Sequence, residues 1–276
     1  MNFMTYFDVN YADKGWACHH TLYKFLGEEL KLYVFALDEK VYEQAKEKKG
    51  VVPIRLREVE EKYPELKDIK NTRLAKEYYA TMTPIFPLYL FEKYNDDLLF
   101  YTDADIAFYS NPKEMLGVLG NKSLMVVDHG IEPPRAKVRF NVGILAYRND
   151  ENCKEFLNWW KEKCIEWCEW KTMPDGRCAD QGYLNIIHNE PERFKNTLAI
   201  QPLNTGINVS PWCAENCNVI KTGDDIIINN KTPLICYHFH EFKLTQNGYY
   251  PTGWKLGNGL IQNVYEPYYK LIKSVK

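Results

Sequence analysis

The run Leu98-Leu99-Phe100-Tyr101-Thr102-Asp103-Ala104-Asp105 puts two carboxylates one residue apart at the end of an apolar stretch. In a strand, positions i and i+2 project from the same face. Asp103 and Asp105 would then make one hard, anionic site, suited to Mg²⁺ or Mn²⁺ shared with substrate phosphates. The same spacing also fits a solvated strand end, so the decision falls to the residues around it. A second apolar run, Leu234-Ile235-Cys236-Tyr237, ends in His238-Phe239-His240. These imidazoles again share a face, and either can complete a coordination shell begun by the aspartates. Lys243, just beyond, can balance the charge of a diphosphate. A third segment, Arg177-Cys178-Ala179-Asp180-Gln181-Gly182-Tyr183-Leu184, opens a short helix. Asp180 there is either a helix cap or, with Gln181, a carboxylate and an amide set against a reacting sugar.

The elements that must position these groups alternate strand and helix. Asn2–Asp8 reads as a strand, followed by a helix over Cys18–Leu26. Leu32–Leu37 is a short buried strand, and Asp38 caps a charged helix over Glu39–Lys48. Val51–Ile54 is a third strand, and Arg73–Tyr94 reads helical with Pro84 and Pro87 interrupting it. Strands at Leu124–Val127 and Phe140–Tyr147 follow the Asp-x-Asp strand. A β-α-β-α-β start with apolar strands predicts a parallel sheet covered by helices. Ligands of such sheets collect at the carboxyl ends of the strands, where Asp8, Asp103 and Asp105 all fall. Gly130–Arg139, carrying Arg135, Lys137 and Arg139, reads as an exposed basic loop able to meet phosphate.

Composition narrows the function classes. The 276 residues carry a net charge of −2, which gives no overall pull toward nucleic acid or an anionic membrane. No apolar run reaches the roughly 18–20 residues of a membrane span. Met1–Thr5 shows no leader chemistry, so a cytoplasmic chain is expected, with peripheral membrane contact left open. The eight cysteines are read as reduced core residues. Cys153, Phe156, Leu157, Trp160, Cys164, Trp167 and Cys168 recur at steps of three and four, one apolar face of a helix over Cys153–Trp170. The Tyr-rich end, Gly248–Lys276, is either a packed terminal helix or a lid over the acceptor.

Taken in order, these motifs resemble a known family. Thr102-Asp103-Ala104-Asp105 followed by Phe108-Tyr109-Ser110-Asn111-Pro112 is similar to the metal signature of GT-A nucleotide-sugar glycosyltransferases. Phe140-Asn141-Val142-Gly143-Ile144-Leu145 resembles their next strand. Ala179-Asp180-Gln181 and Tyr237-His238-Phe239-His240 resemble the Asp-Gln segment and metal histidine of the glycogenin-like retaining branch. Two departures point to a less characterised bacterial or viral group instead. Glu241-Phe242-Lys243-Leu244 replaces that branch's Gly-x-x-Lys-Pro-Trp tail, and Tyr79–Pro84 lacks its arginine.

The resemblance implies one α/β domain of GT-A type over residues 1–276, Rossmann-like, with a mainly parallel central sheet flanked by helices. Residues 1–110 would bind the nucleotide, 111–245 the sugar and acceptor, and 246–276 would extend the C-terminus. It implies that Asp103, Asp105 and His238, with His240 as the alternative, hold Mn²⁺ or Mg²⁺. Thr5, Tyr6, Phe7, Asp8, Lys14, Thr102, Asp103, Ala104 and Lys243 would bind the donor, and Asn141, Asp180 and Gln181 would face the transferred sugar. The expected reaction is transfer from a nucleoside-diphosphate sugar, UDP-sugar favoured, to a hydroxyl of a glycan or other acceptor, with retention. The alternatives are a haloacid-dehalogenase-like phosphatase, a sugar nucleotidyltransferase and a non-catalytic carbohydrate-binding protein. The first normally carries its Asp-x-Asp after strand one, and the second a glycine-rich loop where this chain has Asp8-Val9-Asn10-Tyr11-Ala12-Asp13-Lys14-Gly15.

Overall fold

The computed structural model describes residues 1–275 apart from 131–137, 190, 195–196, 202–204 and 215–216. Its main sheet takes β1 (Asn2–Phe7), β2 (Lys31–Ala36), β3 (Val51–Arg55) and β4 (Leu98–Thr102) from the first part of the chain. After β5 (Ile106–Phe108) come β6 (Leu124–Asp128), β7 (Phe140–Arg148) and β8 (Leu198–Gln201). The order across the sheet is β3-β2-β1-β4-β7-β6-β8. All neighbours pair parallel except where β7 meets β4 and β6. Strands from 1–110 and from 111–245 therefore share one sheet.

Alternation along each strand builds two cores. On β4, Leu99 and Tyr101 enter the layer that holds Trp160 and Phe156, while Phe100 enters the opposite layer with Phe3 and Ile144. The reversed direction of β7 matters for function. Its register with β4 runs Thr102 to Ile144, so the N-terminal end of β7, with Asn141 and Gly143, meets the C-terminal end of β4.

Several helices differ from expectation for identifiable reasons. The first covers Ala12–Leu26, six residues earlier than Cys18, because Asp8 Oδ1 accepts the N–H groups of Asn10 (3.0 Å) and Tyr11 (3.2 Å) and turns the chain at once. The helix Glu39–Lys46 is capped as expected, with Asp38 accepting from Val41 N at 2.9 Å. The single interrupted helix expected over Arg73–Tyr94 is two, Ala75–Thr81 and Ile85–Tyr94. Pro84 caps the second, and Pro87 falls in its first turn, where a missing N–H breaks no helical bond. The helix Glu151–Glu166 buries Cys153, Phe156, Leu157, Trp160 and Cys164, the predicted face. It stops four residues short of Trp170 because Trp167 turns to extended backbone. All eight cysteines are free thiols.

Smaller sheets complete the frame. β9 (Val219–Thr222), β10 (Asp225–Ile228) and β11 (Thr232–Pro233) form one, and β12 (Cys236–His238) pairs antiparallel with β5. That pairing sets His238 opposite Ile106. β13 (Lys243–Thr245) and β14 (Gly248–Tyr250) make a hairpin. The Tyr-rich end closes as a packed helix, Glu266–Ser274, with Tyr268 stacked on Phe239 at 3.5 Å between centroids. The basic-loop expectation for Gly130–Arg139 lies mostly outside the described residues, Arg135 and Lys137 included. Arg139 is described, and its Nε donates to Asp128 at 2.9 Å.

Candidate active site

After β4 the chain makes a tight turn that carries both aspartates. Asp103 N donates to Gly143 O (2.8 Å) and Ile106 N to Asp103 O (3.3 Å), so the turn is held against β7 on one side and leads into β5 on the other. Phe239 N donates to Asp105 O (2.8 Å), which fastens the end of β12 to the same turn. The consequence is a triad. His238 Nε2 lies 3.3 Å from Asp105 Oδ1 and 3.7 Å from Asp103 Oδ2. One ligand atom from each of the three lies within 4.8 Å of the others. Two carboxylates and one imidazole suit a divalent ion such as Mn²⁺, and three ligands leave positions for substrate oxygens. The donor set therefore fits the implied metal. His240 is not in this group; its ring centroid stands 6.0 Å from that of His238, on the exposed side.

Burial and charge separate the two aspartates. Burial pushes Asp103 up to about 6, with His238 opposing the rise and Asp105 adding to it. Tyr101 donates its hydroxyl to Asp103 Oδ1 at 2.5 Å. Asp105 is desolvated as well, with 13% of its side chain exposed against 27% for Asp103, yet His238 and Lys14 hold it well below the usual carboxylate range. For His238, burial is outweighed by Asp105 and Asp103, and its pKa is raised. Like charges crowded in a dry site and stabilised by a neighbouring cation behave this way.

A second wall of the site is the Asp180–Gln181 segment. Asp180 is only 2% exposed. Its Oδ1 accepts from Gln181 N (2.8 Å), and its carbonyl accepts from Trp160 Nε1 (3.0 Å). Burial pushes its carboxyl up to about 6, with a hydrogen bond from Thr83 acting against the rise. The residue before it, Ala179, sits at φ 47°, a left-handed conformation that costs a non-glycine residue on the order of 1 kcal/mol. Strain there, next to a buried carboxylate, marks a position held by its surroundings.

One cavity of about 710 Å³ joins the walls. Tyr6, Phe7 and Asp8 from the end of β1 line it, with Asp103, Ala104, Asp105, Asn141, Asp180, Gln181, His238 and His240. Four expected donor residues are placed elsewhere. Thr5 and Thr102 are buried within the sheet. Lys14 stands over the Tyr11 ring at 4.3 Å and acts on Asp105 through charge. Lys243 is exposed on the hairpin and does not line the cavity.

The cavity also contains residues that sequence reading passed over. His129 follows an apolar strand ending in Asp128, the same signal that marked Asp103 and His238, and was detectable on that ground. Burial pushes its pKa down to about 4, so its imidazole is neutral. Trp212 had no local signal. Its ring lies 5.4 Å from that of His129, 5.7 Å from His238 and 5.2 Å from His240, a contact made only by the fold.

The family model for nucleotide-diphospho-sugar transferases matches residues 30–231. This chain belongs to that family. The transferase is 29% identical over 261 residues to the uncharacterized protein YfnD of Bacillus subtilis (strain 168), covering 90% of this chain and 81% of that one. It is 28% identical over 235 residues to YfnF of the same organism, covering 79% and 74%. Among solved structures, the galactosyltransferase LgtC in complex with donor and acceptor sugar analogues aligns at TM-score 0.61 and 14% identity, covering 99% of this chain and 96% of that one. Mouse xyloside xylosyltransferase 1 aligns at 0.56 and 12%, covering 87% and 97%. Identities this low speak to the fold, which is the expected α/β GT-A architecture. The transferase is thus a glycosyltransferase of GT-A fold, and the phosphatase and binding-protein alternatives give way to the family match. No helix among the described residues is long and apolar enough to cross a membrane.

Proposed function

We propose that this transferase moves a hexose from a UDP-sugar to a hydroxyl of a glycan or other acceptor, in a metal-dependent reaction that retains anomeric configuration. The observation that carries the reading is the convergence of Asp103, Asp105 and His238 with Asp180 and Gln181 in the lining of one cavity of about 710 Å³. In this reading residues 1–110 supply the nucleotide side, 111–245 the sugar side, and 246–276 a packed extension. Asp103, Asp105 and His238 would hold Mn²⁺ or Mg²⁺, and the ion when bound would neutralise the diphosphate and ease its departure.

The remaining roles belong to side chains. Tyr6, Phe7 and Asp8, at the end of β1, flank the nucleotide. Asp180 and Gln181 face the transferred sugar, whose ring gains positive charge as its C1–O bond to the diphosphate breaks. The buried Asp180 carboxylate, with the Gln181 amide beside it, would stabilise that charge with little reorganisation. The acceptor oxygen bonds to C1 on the face the diphosphate leaves, and its proton passes to the departing phosphate oxygen. Free thiols throughout the chain support a cytoplasmic setting.

Calorimetry with a panel of UDP- and GDP-sugars, with and without Mn²⁺, tests the reading. Micromolar binding of a UDP-sugar only with the ion is expected. Binding indifferent to Mn²⁺ would remove the metal assignment. An inverted product by NMR would remove retention and turn attention to Asp180 or His240 as a general base.

A further inference from the structure

The metal histidine has a second ring nitrogen, and its surroundings support an inference that rests on the metal reading above. His238 Nδ1 is buried with no partner, and so is Oδ1 of Asn208, a residue only 4% exposed. The two atoms share one hollow above β7. A Cβ placed on Gly143 would lie 2.8 Å from His238 Nδ1, 3.0 Å from Asn208 Oδ1 and 2.7 Å from Asn141 Oδ1. Only glycine lets these three polar groups close over the strand.

The orientation of Asn208 follows from its neighbours. Gly143 N donates to Asn141 Oδ1 at 2.7 Å, which identifies that atom as the amide oxygen. Asn208 Nδ2 donates to the same oxygen at 3.0 Å. Oδ1 is therefore the Asn208 atom left facing the hollow. Asn141 Oδ1 already accepts two hydrogens, so Asn208 Oδ1 is the acceptor there with capacity to spare. The backbone holds Asn208 in place as well. It sits at φ 52°, Val209 bridges to Tyr237, and His238 N donates to Val209 O at 2.8 Å.

We propose that Asn208 is a positioning residue for His238: its Oδ1 accepts the Nδ1–H, which holds the ring so that Nε2 faces the Asp103–Asp105 site and is the nitrogen that would ligate the metal. Ligating imidazoles depend on such a partner at the far nitrogen for both tautomer and ring orientation. Asn141 and Gly143 act one step further back, by fixing the Asn208 amide.

The test uses Asn208→Gly, which removes the amide but tolerates the left-handed backbone, and Asn208→Asp, which keeps an acceptor. In the metal-free wild type, where Asp105 and Asp103 keep a proton on Nε2, ¹H–¹⁵N imidazole spectra should also show a His238 Nδ1–H protected from solvent exchange. Asn208→Gly should remove that protection and weaken Mn²⁺ binding, followed by electron paramagnetic resonance, about 10- to 100-fold. Asn208→Asp should restore the Nδ1–H protection and most of the Mn²⁺ affinity. Unchanged Nδ1–H protection and unchanged Mn²⁺ affinity in folded Asn208→Gly would overturn the role of Asn208. An Nδ1–H that responds to Asn208→Gly in a protein that takes up no Mn²⁺ would support the contact and overturn the metal reading.

Discussion

The two walls of the cavity each bury carboxylates but treat them differently. On the metal edge, Asp105 has His238 and Lys14 for company and stays ionised far into acid. At the Asp180 wall, burial pushes the carboxyl up to about 6, with hydrogen bonds from Thr83 and the Gln181 backbone N–H opposing the rise. Desolvation acts on all of them; Asp105 is held down by His238 and Lys14, whereas Asp103, facing the same His238, also rises to about 6 because the Asp105 charge adds to its desolvation. One wall is thus suited to hold a charged ligand throughout the neutral range. The other carries a carboxylate close to neutrality, whose charge becomes favourable when positive charge develops beside it.

The largest expected effect breaks the metal edge. Asp105→Ala should lower transfer by about 10³-fold or more, since it removes charge stabilisation at the departing diphosphate. Circular dichroism should show an intact fold, because Asp105 supports no core layer. Transfer at the wild-type rate would mean that the metal edge is not where the diphosphate leaves.

Asp180→Asn should lower kcat by roughly 10²–10³-fold and leave Mn²⁺-dependent nucleotide binding in place. The same variant sharpens the electrostatic contrast. A carboxyl at about 6 in the folded chain and 3.8 unfolded binds its proton more tightly when folded. That contribution is present below pH 4 and is lost as pH rises through 6, by about 3 kcal/mol. Denaturant titrations should therefore show Asp180→Asn gaining stability relative to wild type between pH 4 and 7. A pH-independent gap would show that Asp180 is not desolvated.

Trp160→Ala tests the wall's support. Trp160 is fully buried, and its indole N–H donates to the Asp180 carbonyl. Its loss should cost about 3–5 kcal/mol. In chain that still folds, kcat should fall while Mn²⁺ affinity holds, because the damage lies on one wall only. The smallest effect is expected from His240→Ala. His240 stands outside the triad, so Mn²⁺ affinity should stay within about twofold of wild type. A tenfold loss would exchange the roles of the two histidines.

Much of this was legible locally. Period-two and period-three-to-four patterns exposed the strands and the Cys153–Cys164 face, because burial on one side of an element writes itself into nearby residues. Asp103 and Asp105 were legible as a carboxylate pair following an apolar strand, but they meet through a tight turn between β4 and β5 and not through strand alternation. The interruption expected in 73–94 occurs before Pro84, while Pro87 falls in the first turn of the second helix and breaks nothing, because the position of a proline within a turn decides whether a helix breaks.

What the chain determined alone was chemistry: which residues can bind a hard cation, cap a helix or fill a core. The tertiary structure decided which of them meet. The choice of His238 over His240 depends on the pairing of β12 with β5, 130 residues apart in sequence, and on a turn fastened at Asp105. Asn208 Oδ1 and His238 Nδ1 come to one hollow because β7 runs antiparallel to β4 and presents Gly143 beside both. Contacts across such separations leave no period in the sequence, since each partner looks locally like any other polar residue at the end of a strand.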